Sequence, residues 1–238
     1  MLIKEALRIV GGLSKPSKMP SYGWSIPAYK CLTGSKLRLV EGSTCYFCYA
    51  LKGTYQFSCV KNALEKRFDI LQNVLKDKKE RKKFLEAFKV LMSGKKFFRW
   101  HDAGDIQNVN HLNLIVTISR QNPKTLFWLP SREYKIVSDY IKKNDIPSNL
   151  IIRLSAHKVD FKGPEKLARK NNLTISAVHT KRTSYKVCES KFNTNGKRLK
   201  SGKLDTGFCS GTDIRNGKRV DCRACWNKKV FSVSYPIH

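Results

Sequence analysis

The sequence predicts an α/β fold, a TIM-like full or partial (β/α) barrel with a cysteine-rich C-terminal extension. In the central part of the chain, short apolar runs of strand length alternate with segments whose apolar residues recur at helical spacing. The eight cysteines all lie outside this central part, four before residue 60 and four after residue 187. An open, doubly wound sheet is the alternative arrangement for the same alternation.

Four runs rich in β-branched and aromatic residues predict the strands, because such side chains pack well on a pleated surface. They cover residues 95–101, 125–130, 150–155 and 173–178. Pro130 closes the second run, since proline cannot donate to a sheet ladder. The runs are apolar almost without interruption, which is typical of strands buried on both faces and so predicts a parallel sheet covered by helices.

Five segments with a helical repeat of apolar residues predict the helices: 59–76, 78–92, 107–121, 133–143 and 164–171. In the third, one stripe collects four apolar residues: Val109, Leu112, Ile115 and Val116. We expect Ser131 to cap the helix over 133–143, and Pro164 to occupy the first turn of the last helix.

Length and composition support a folded chain with its own core. The 238 residues are 41% apolar, and we expect residues 1–180 to form the barrel-like domain that carries the N-terminal cysteines. Residues 181–238 are expected to form a basic, cysteine-rich segment packed on it. No apolar run approaches eighteen residues and the N-terminus has no signal-peptide pattern, so we expect a cytoplasmic protein with no membrane partner.

The charge is far from neutral. Forty-seven Lys and Arg residues against eighteen Asp and Glu give a net charge of +29, densest after residue 180. This excess predicts nucleic acid or another polyanion as a partner. For a single lysine-rich run such as 76–83, a solvated helix face is the simpler interpretation.

The cysteines form two groups of four, and each group contains one C-x-x-C pair. They are Cys31, Cys45, Cys48 and Cys59, and then Cys188, Cys209, Cys222 and Cys225. This clustering predicts two thiolate metal sites. Disulfides and unligated core thiols are the alternatives, but stapled secreted domains are usually much smaller.

The residues around the first pair favour an iron–sulfur cluster over zinc. Tyr46, Phe47 and Tyr49 surround Cys45 and Cys48, and bulky apolar neighbours suit a cluster whose potential depends on solvent exclusion. We therefore expect one or two [4Fe-4S] clusters and an electron-transfer partner. Zinc competes more strongly at the C-terminal group, which lies in a polar, glycine-rich stretch.

Polar residues follow the predicted strands. In a parallel barrel, ligands meet the C-terminal ends of the strands, so these residues should converge. The candidate catalytic residues there are His101, Asp102, Asp105 and Arg132. The alternative is purely structural, with an Asx turn at Asp102 and Asp105 capping the helix from 107.

Several of these residues, in this order, resemble the phage gene-product-88 family. The resemblance rests on Ser25-Ile26-Pro27-Ala28 before Cys31, on Cys48-Tyr49-Ala50, on Cys59 and on Gly104-Asp105. It continues through 128–132 and 154–156 and so spans roughly residues 20–180. A phage protein would act in the host cytoplasm, and the family is little characterised, so the resemblance implies no particular reaction.

A looser resemblance is to radical S-adenosylmethionine enzymes. These share an α/β barrel and an N-terminal cysteine motif with an aromatic residue just before the last cysteine, as Phe47 precedes Cys48. The interval between Cys31 and Cys45 is longer than theirs, and Cys59 would fill the coordination position that their cofactor needs.

Three functions therefore follow from the sequence. The first is a phage-type iron–sulfur protein with a redox or electron-transfer role, which would make it a redox enzyme if it converts a substrate. The second is a radical enzyme that uses S-adenosylmethionine. The third is a zinc-stabilised, basic nucleic-acid-binding protein.

Overall fold

The computed structural model describes residues 1–16, 19–181, 183–188, 210–212 and 219–236, with the backbone alone for 210–212 and 219–221. Seven parallel strands form one sheet, and helices connect the first five of them. The α/β class and the parallel sheet predicted from the sequence are confirmed. No helix in these ranges is long and apolar enough to cross a membrane.

Nine strands occur in the described ranges. They are β1 (Tyr22–Trp24), β2 (Phe97–Trp100), β3 (Leu126–Ser131), β4 (Leu150–Ser155), β5 (Thr174–His179), β6 (Lys186–Val187), β7 (Ser210–Thr212), β8 (Arg219–Asp221) and β9 (Ser232–Pro236). The same ranges contain seven α-helices. They are α1 (Ile3–Val10), α2 (Leu32–Leu37), α3 (Ser58–Lys76), α4 (Lys78–Met92), α5 (Val109–Gln121), α6 (Tyr134–Ile141) and α7 (Glu165–Lys170).

The sheet is ordered β1-β2-β3-β4-β5-β9-β6, and every neighbouring pair is parallel. The first five strands follow chain order, as in a (β/α) barrel. Strands β1 and β6 are the two edges, and within the described chain no ladder joins them, so a closed barrel is not confirmed.

The chain beyond residue 180 contributes to the same sheet. β6 and β9 lie side by side, and β9 pairs with β5 over five residues, from Ile175 opposite Ser232 to His179 opposite Pro236. β7 and β8 form a separate antiparallel pair. Cys209, one of the predicted metal ligands, lies outside the described residues.

One face of the sheet packs on the helices and forms the main core. Alternate strand residues point into it, as a period of two requires: Phe98 and Trp100, Phe127 and Leu129, Ile152 and Leu154. Phe84 and Phe88 of α4 meet these strands through Trp24 and Trp100, with ring centroids 5.0 to 5.8 Å apart along the series Trp24, Phe84, Phe88, Trp100. Aromatic side chains therefore dominate this core.

The opposite face is covered by the C-terminal segment. Trp128 of β3 packs on Trp226 and Cys225, and the Trp226 indole N–H donates to the carbonyl of Phe98 at 2.9 Å. Arg153 of β4 points to the same side and is fully buried. Its guanidinium donates to six carbonyl oxygens, those of Ile175, Ala224, Cys225, Asn227, Val230 and Phe231.

The helix starts differ in detail from the prediction. α5 is capped by Asn108, whose side chain accepts the N–H of His111, so Asp105 is not its cap. Ser131 is the last residue of β3 and accepts the N–H of Glu133, the residue that precedes α6. Pro164 stands immediately before α7.

Candidate functional site

A cavity of about 870 Å³ opens at the C-terminal edge of the sheet. Its floor is formed by strand residues of the face opposite the helices, among them Arg99, Trp128, Ser155 and Ser176. The loops between residues 25 and 60 form its wall. All four N-terminal cysteines and all four predicted catalytic residues line it. The structure thus brings together the two sets of residues that the sequence predicts separately.

Three of the thiols share one corner, which we call the thiol corner: Cys31, Cys45 and Cys48. Cys31 precedes α2, and Cys45 and Cys48 form a tight turn in which the Cys48 N–H donates to the Cys45 carbonyl at 3.2 Å. A β-carbon placed on Gly34 would lie 3.5 Å from Sγ of Cys31 and 3.6 Å from Sγ of Cys45. The two sulfurs therefore approach the same small space, which glycine leaves open.

The loops of the thiol corner are tied to the ends of the strands. The N–H and hydroxyl of Thr33 both donate to the Glu133 carboxylate at 2.7 Å, just after β3. The Thr44 N–H donates to the His157 carbonyl at 2.9 Å, and its hydroxyl donates to the Ala156 carbonyl at 3.0 Å, just after β4. These bonds fix the positions of Cys31 and Cys45 relative to the sheet.

Arg132 lies beside the thiols. Its Nε donates to the Thr44 hydroxyl at 2.9 Å. Burial raises the pKa values of Cys31 and Cys45. Asp105 and Cys48 raise both further, and Cys45 also raises that of Cys31, whereas the Arg132 guanidinium lowers both. Burial works against the positive charge of Arg132, but its pKa is raised by Cys45, Asp105 and Cys48. The positive charge of Arg132 therefore favours the thiolate forms of the cysteines at the thiol corner.

Asp105 is buried, and its hydrogen bonds hold parts of the backbone together. Its carboxylate accepts the Arg132 and Ile106 N–H groups, both at 2.8 Å, and so joins the β2 loop to the end of β3. Burial, together with the charge of Glu133, raises the pKa of Asp105 to about 6, although the hydrogen bonds oppose the rise. The carboxyl is thus held within reach of neutral pH at the wall of the cavity.

Asp102 lies at the centre of a hydroxyl network. Its carboxylate accepts hydrogen bonds from the Ser25 hydroxyl and, at 2.8 Å, from the Tyr55 hydroxyl, and its carbonyl accepts from the Tyr49 hydroxyl. Burial and the Asp102 charge both raise the pKa of Tyr55. Asp102 therefore orients two tyrosines of the cavity wall.

His101 is buried, with 3% of its surface exposed, and adopts a left-handed backbone conformation with φ 53°. Neither ring nitrogen has a hydrogen-bond partner among the described residues. Burial lowers its pKa to about 4. The imidazole is therefore neutral at pH 7, and Trp24, Trp100 and His111 pack around its ring.

Cys59 differs from the other three N-terminal thiols. It is exposed, in the first turn of α3, although it also lines the cavity. In the described parts of the chain, no three His, Cys, Asp or Glu side chains come close enough together to hold a single metal ion. The aromatic rings of Tyr46, Phe47 and Tyr49 lie between 40% and 55% exposed, so they only partly shield the thiols.

The C-terminal cysteines lie on the same face of the sheet as the cavity, where Cys225 packs on Trp128 of the cavity floor. Cys225 is buried, its Sγ lies 3.1 Å from the hydroxyl of Tyr235, and Tyr235 itself lines the cavity. Burial raises the pKa of Cys225 to about 11, and the thiols of Cys188 and Cys222 add to the rise. Three of the four predicted C-terminal ligands are therefore neighbours.

Several cavity residues escaped the sequence analysis, above all Arg99, Arg67 and Trp128. Arg99 lies over the Trp128 ring, 4.5 Å from its centroid, and its Nη2 donates to the Tyr49 hydroxyl at 3.5 Å. Arg67 of α3 donates to the Gly11 and Ser25 carbonyls. The sequence does contain a signal for Arg99 and Trp128. They alternate with the core residues of β2 and β3 and therefore lie on the other face of the sheet.

Comparison with known proteins identifies a family. No curated protein and no solved structure matches the chain. One family model does match, described as gene product 88, and it covers residues 6–228. The match includes the thiol corner, the five sequential strands and the C-terminal cysteines, and it extends well beyond the part that carries the resemblance in the sequence. The chain belongs to the gene product 88 family.

Proposed function

We propose that the protein binds a [4Fe-4S] cluster at the thiol corner and serves a redox or electron-transfer function there. The observation that carries the proposal is the convergence of Cys31, Cys45 and Cys48 on one corner of a cavity at the C-terminal edge of a parallel sheet. Such edges are where α/β proteins place their ligands. The substrate stays unassigned.

The donor set fits a cluster better than zinc. The corner offers thiols only, which are the usual ligands of cubane clusters. In a tetrahedral zinc site with Zn–S bonds of about 2.3 Å, the sulfurs crowd around one ion. A cubane binds each thiolate through its own iron and so accepts ligands that are farther apart. The space beside Gly34, which the sulfurs of Cys31 and Cys45 both border, leaves room for such a group.

The electrostatics also suit a bound cluster. Burial keeps the thiols protonated, so binding iron would release protons, as is general for thiolate sites. A cluster held by thiolates carries net negative charge, and the guanidinium of Arg132 lies where it would offset that charge. Arg132 would then tune the potential of the cluster. His101, Asp102 and Asp105 are the proposed substrate contacts beside it.

A second metal site is proposed at Cys188, Cys222 and Cys225, together with Cys209. It would hold a second [4Fe-4S] cluster or zinc. The half-exposed rings of Tyr46 and Phe47 at the mouth of the cavity offer an apolar contact for an electron-transfer partner. We also propose that the sheet is a partial barrel. Free thiols such as those at the thiol corner suit the reducing cytoplasm.

The exposure of Cys59 favours a second candidate function. If only Cys31, Cys45 and Cys48 bind the cluster, one iron keeps an open position beside a cavity large enough for a small molecule. This is the arrangement that a radical S-adenosylmethionine enzyme needs. Reductive cleavage of that cofactor by the reduced protein supports this function, and no cleavage by a fully loaded protein removes it.

The test is anaerobic purification followed by analysis of iron, zinc and acid-labile sulfide. Brown protein with iron and sulfide near four or eight per chain is expected for one or two cubane clusters. Cys48→Ser should lose the iron of the thiol corner. Gly34→Ala should weaken it without removing a ligand, because the new methyl would lie 2.9 Å from the Cys31 β-carbon.

Two controls sharpen this test. Ser35→Ala changes the next residue of α2, whose hydroxyl donates to the Tyr29 carbonyl, and should leave the iron content unchanged. The iron content of Cys59→Ser distinguishes a four-cysteine site, which would lose iron, from a three-cysteine site, which would keep it. Colourless protein that contains only zinc, or a Cys48→Ser variant with full iron and sulfide, would overturn the proposal.

A further inference from the structure

We propose that the cavity binds a small organic anion, a molecule with a phosphate or carboxylate group, through the guanidinium groups of Arg99 and Arg67. Calling this anion the substrate rests on the proposed function, whereas the binding itself does not. The proposal starts from a charge imbalance in the cavity.

Four arginines line the cavity: Arg38, which is partly exposed at the C-terminal end of α2, and Arg67, Arg99 and Arg132. In the described part of the chain, the ion pairs involve only surface lysines and Arg169. None of the four cavity arginines therefore has a carboxylate of the described chain at ion-pair distance. A charge that is taken out of water without a partner is costly, so such a cluster indicates an anion that binds there.

Arg132 is accounted for by the thiol corner, since its neighbours are Thr44, Cys45 and Cys48. The thiol corner does not explain why Arg99 and Arg67 line the cavity. The charged groups nearest to both are Asp102 and the tyrosine hydroxyls. The carboxylate oxygens of Asp102 are already engaged by the hydroxyls of Ser25 and Tyr55. Asp102 thus lies near both arginines without neutralising either through an ion pair.

Arg99 retains unused hydrogen-bond donors. Its one hydrogen bond among the described residues is the 3.5 Å contact from Nη2 to Tyr49, and its buried Nε has no partner. Packing over Trp128 holds the guanidinium plane in place. A planar guanidinium with free donors matches the geometry of a carboxylate or phosphate, which it binds through two parallel hydrogen bonds.

A further unsatisfied donor lies beside Arg99. The indole nitrogen of Trp128, a residue only 2% exposed, has no partner within the described residues. Buried polar groups nearly always have one, so this donor and the Nε of Arg99 indicate a bound molecule rich in acceptors. Arg99 and Trp128 belong to strands at the floor of the cavity, and its volume is that of a typical small-molecule site.

The experiment is a calorimetric titration of the full chain with inorganic phosphate and, separately, with acetate at constant ionic strength. It uses wild type, Arg99→Gln and Arg120→Gln. Arg120 is a surface arginine of α5 whose guanidinium donates to the Asp145 carbonyl, so its variant removes the same charge outside the cavity. At least one anion should bind wild type and Arg120→Gln equally well and Arg99→Gln at least tenfold more weakly. The better probe identifies the anionic group.

Equal binding by all three proteins, as the net charge alone would produce, or no binding of either anion would overturn the proposal. If Arg99→Gln does not fold, Arg99→Lys carries the test, since it keeps the charge and loses the fork. Each titration is repeated on protein freed of iron by a chelator. Arg99-dependent binding to iron-free protein supports the anion site even if the cluster proposal fails, and iron-loaded protein without such binding overturns the anion site alone.

Discussion

His101 combines three unusual properties at one residue. It is a non-glycine residue with a left-handed backbone, it is buried, and its ring lies edge-on to His111 with centroids 5.1 Å apart. Strain of this kind collects at functional sites, because the surrounding structure must hold the residue in place. Burial lowers the pKa of His111 as well, so both imidazoles are neutral at pH 7.

The low pKa of His101 predicts a pH dependence of stability. Its folded-state value of about 4 lies below the ordinary 6.5, so the unfolded chain binds the proton more tightly between these values. The contribution to the free energy of unfolding is complete above pH 6.5 and is lost as the pH falls toward 4, by up to about 1.4 kcal/mol per pH unit.

His101→Asn should remove this contribution, because asparagine tolerates the left-handed conformation and does not titrate. Urea unfolding of both proteins at pH 7.5 and 4.5 measures it, and wild type should lose more stability than the variant. Asp105 is present in both proteins, so the difference between them reports the titration of His101 together with its charge coupling to His111. The same loss in both would contradict the prediction.

Strand β4 carries the side chain that attaches the C-terminal segment. The guanidinium of Arg153 satisfies six carbonyl oxygens of β5 and of residues 224–231, and no carboxylate pairs with it in the described chain. Burial lowers its pKa, although the neighbouring Tyr235 and Cys225 oppose this. One strand residue thus holds a segment that is more than seventy positions away in sequence.

Arg153→Met should destabilise the protein by about 3–5 kcal/mol, since removing a buried charged donor leaves its partners unsatisfied. Urea unfolding measures the change. Ile151→Leu is the matched control on the same face of β4, and a volume-conserving exchange there should cost less than about 1.5 kcal/mol. A similar, small effect of both variants would refute this role for Arg153.

The strands that the sequence revealed are those that lie in nearly continuous apolar runs. The predicted strands correspond to β2, β3, β4 and β5, the shortest of which has four residues. β1, β6 and β9 have three, two and five residues, and partners distant in sequence define them. The start of α5 was misjudged because Asp105 and Asn108 are both good caps, and only the tertiary bonds of Asp105 to Arg132 decide between them.

The site was predictable in the same partial way. Cysteine spacing and polar residues after strands identified the thiols and strand-end residues, since both signals are local. Arg99 and Trp128 were missed because an arginine within a strand shows its role only when the helix-covered face of the sheet is known. The cavity can be located only once the helix-covered face of the sheet is known, and the alternation of residues along a strand does not say which face that is.

At the scale of the whole molecule, the net charge of +29 predicts binding to nucleic acid by surface electrostatics. The affinity for a 20-base-pair DNA duplex should fall steeply between 50 and 200 mM salt, roughly with a slope of 0.9 per phosphate neutralised. Fluorescence anisotropy measures it. Arg99→Gln should leave this binding unchanged, because Arg99 lies in the cavity, and weak binding at low salt would exclude a nucleic-acid partner.

The position of β9 in the sheet has a consequence for the order in which the protein folds. β9 lies between β5 and β6, yet it follows both in the chain. During synthesis, the described part of the chain offers β6 no strand to pair with, and β5 keeps an open edge, until residues 232–236 have left the ribosome. Open strand edges invite aggregation, so the nascent chain is most vulnerable just before β9 emerges.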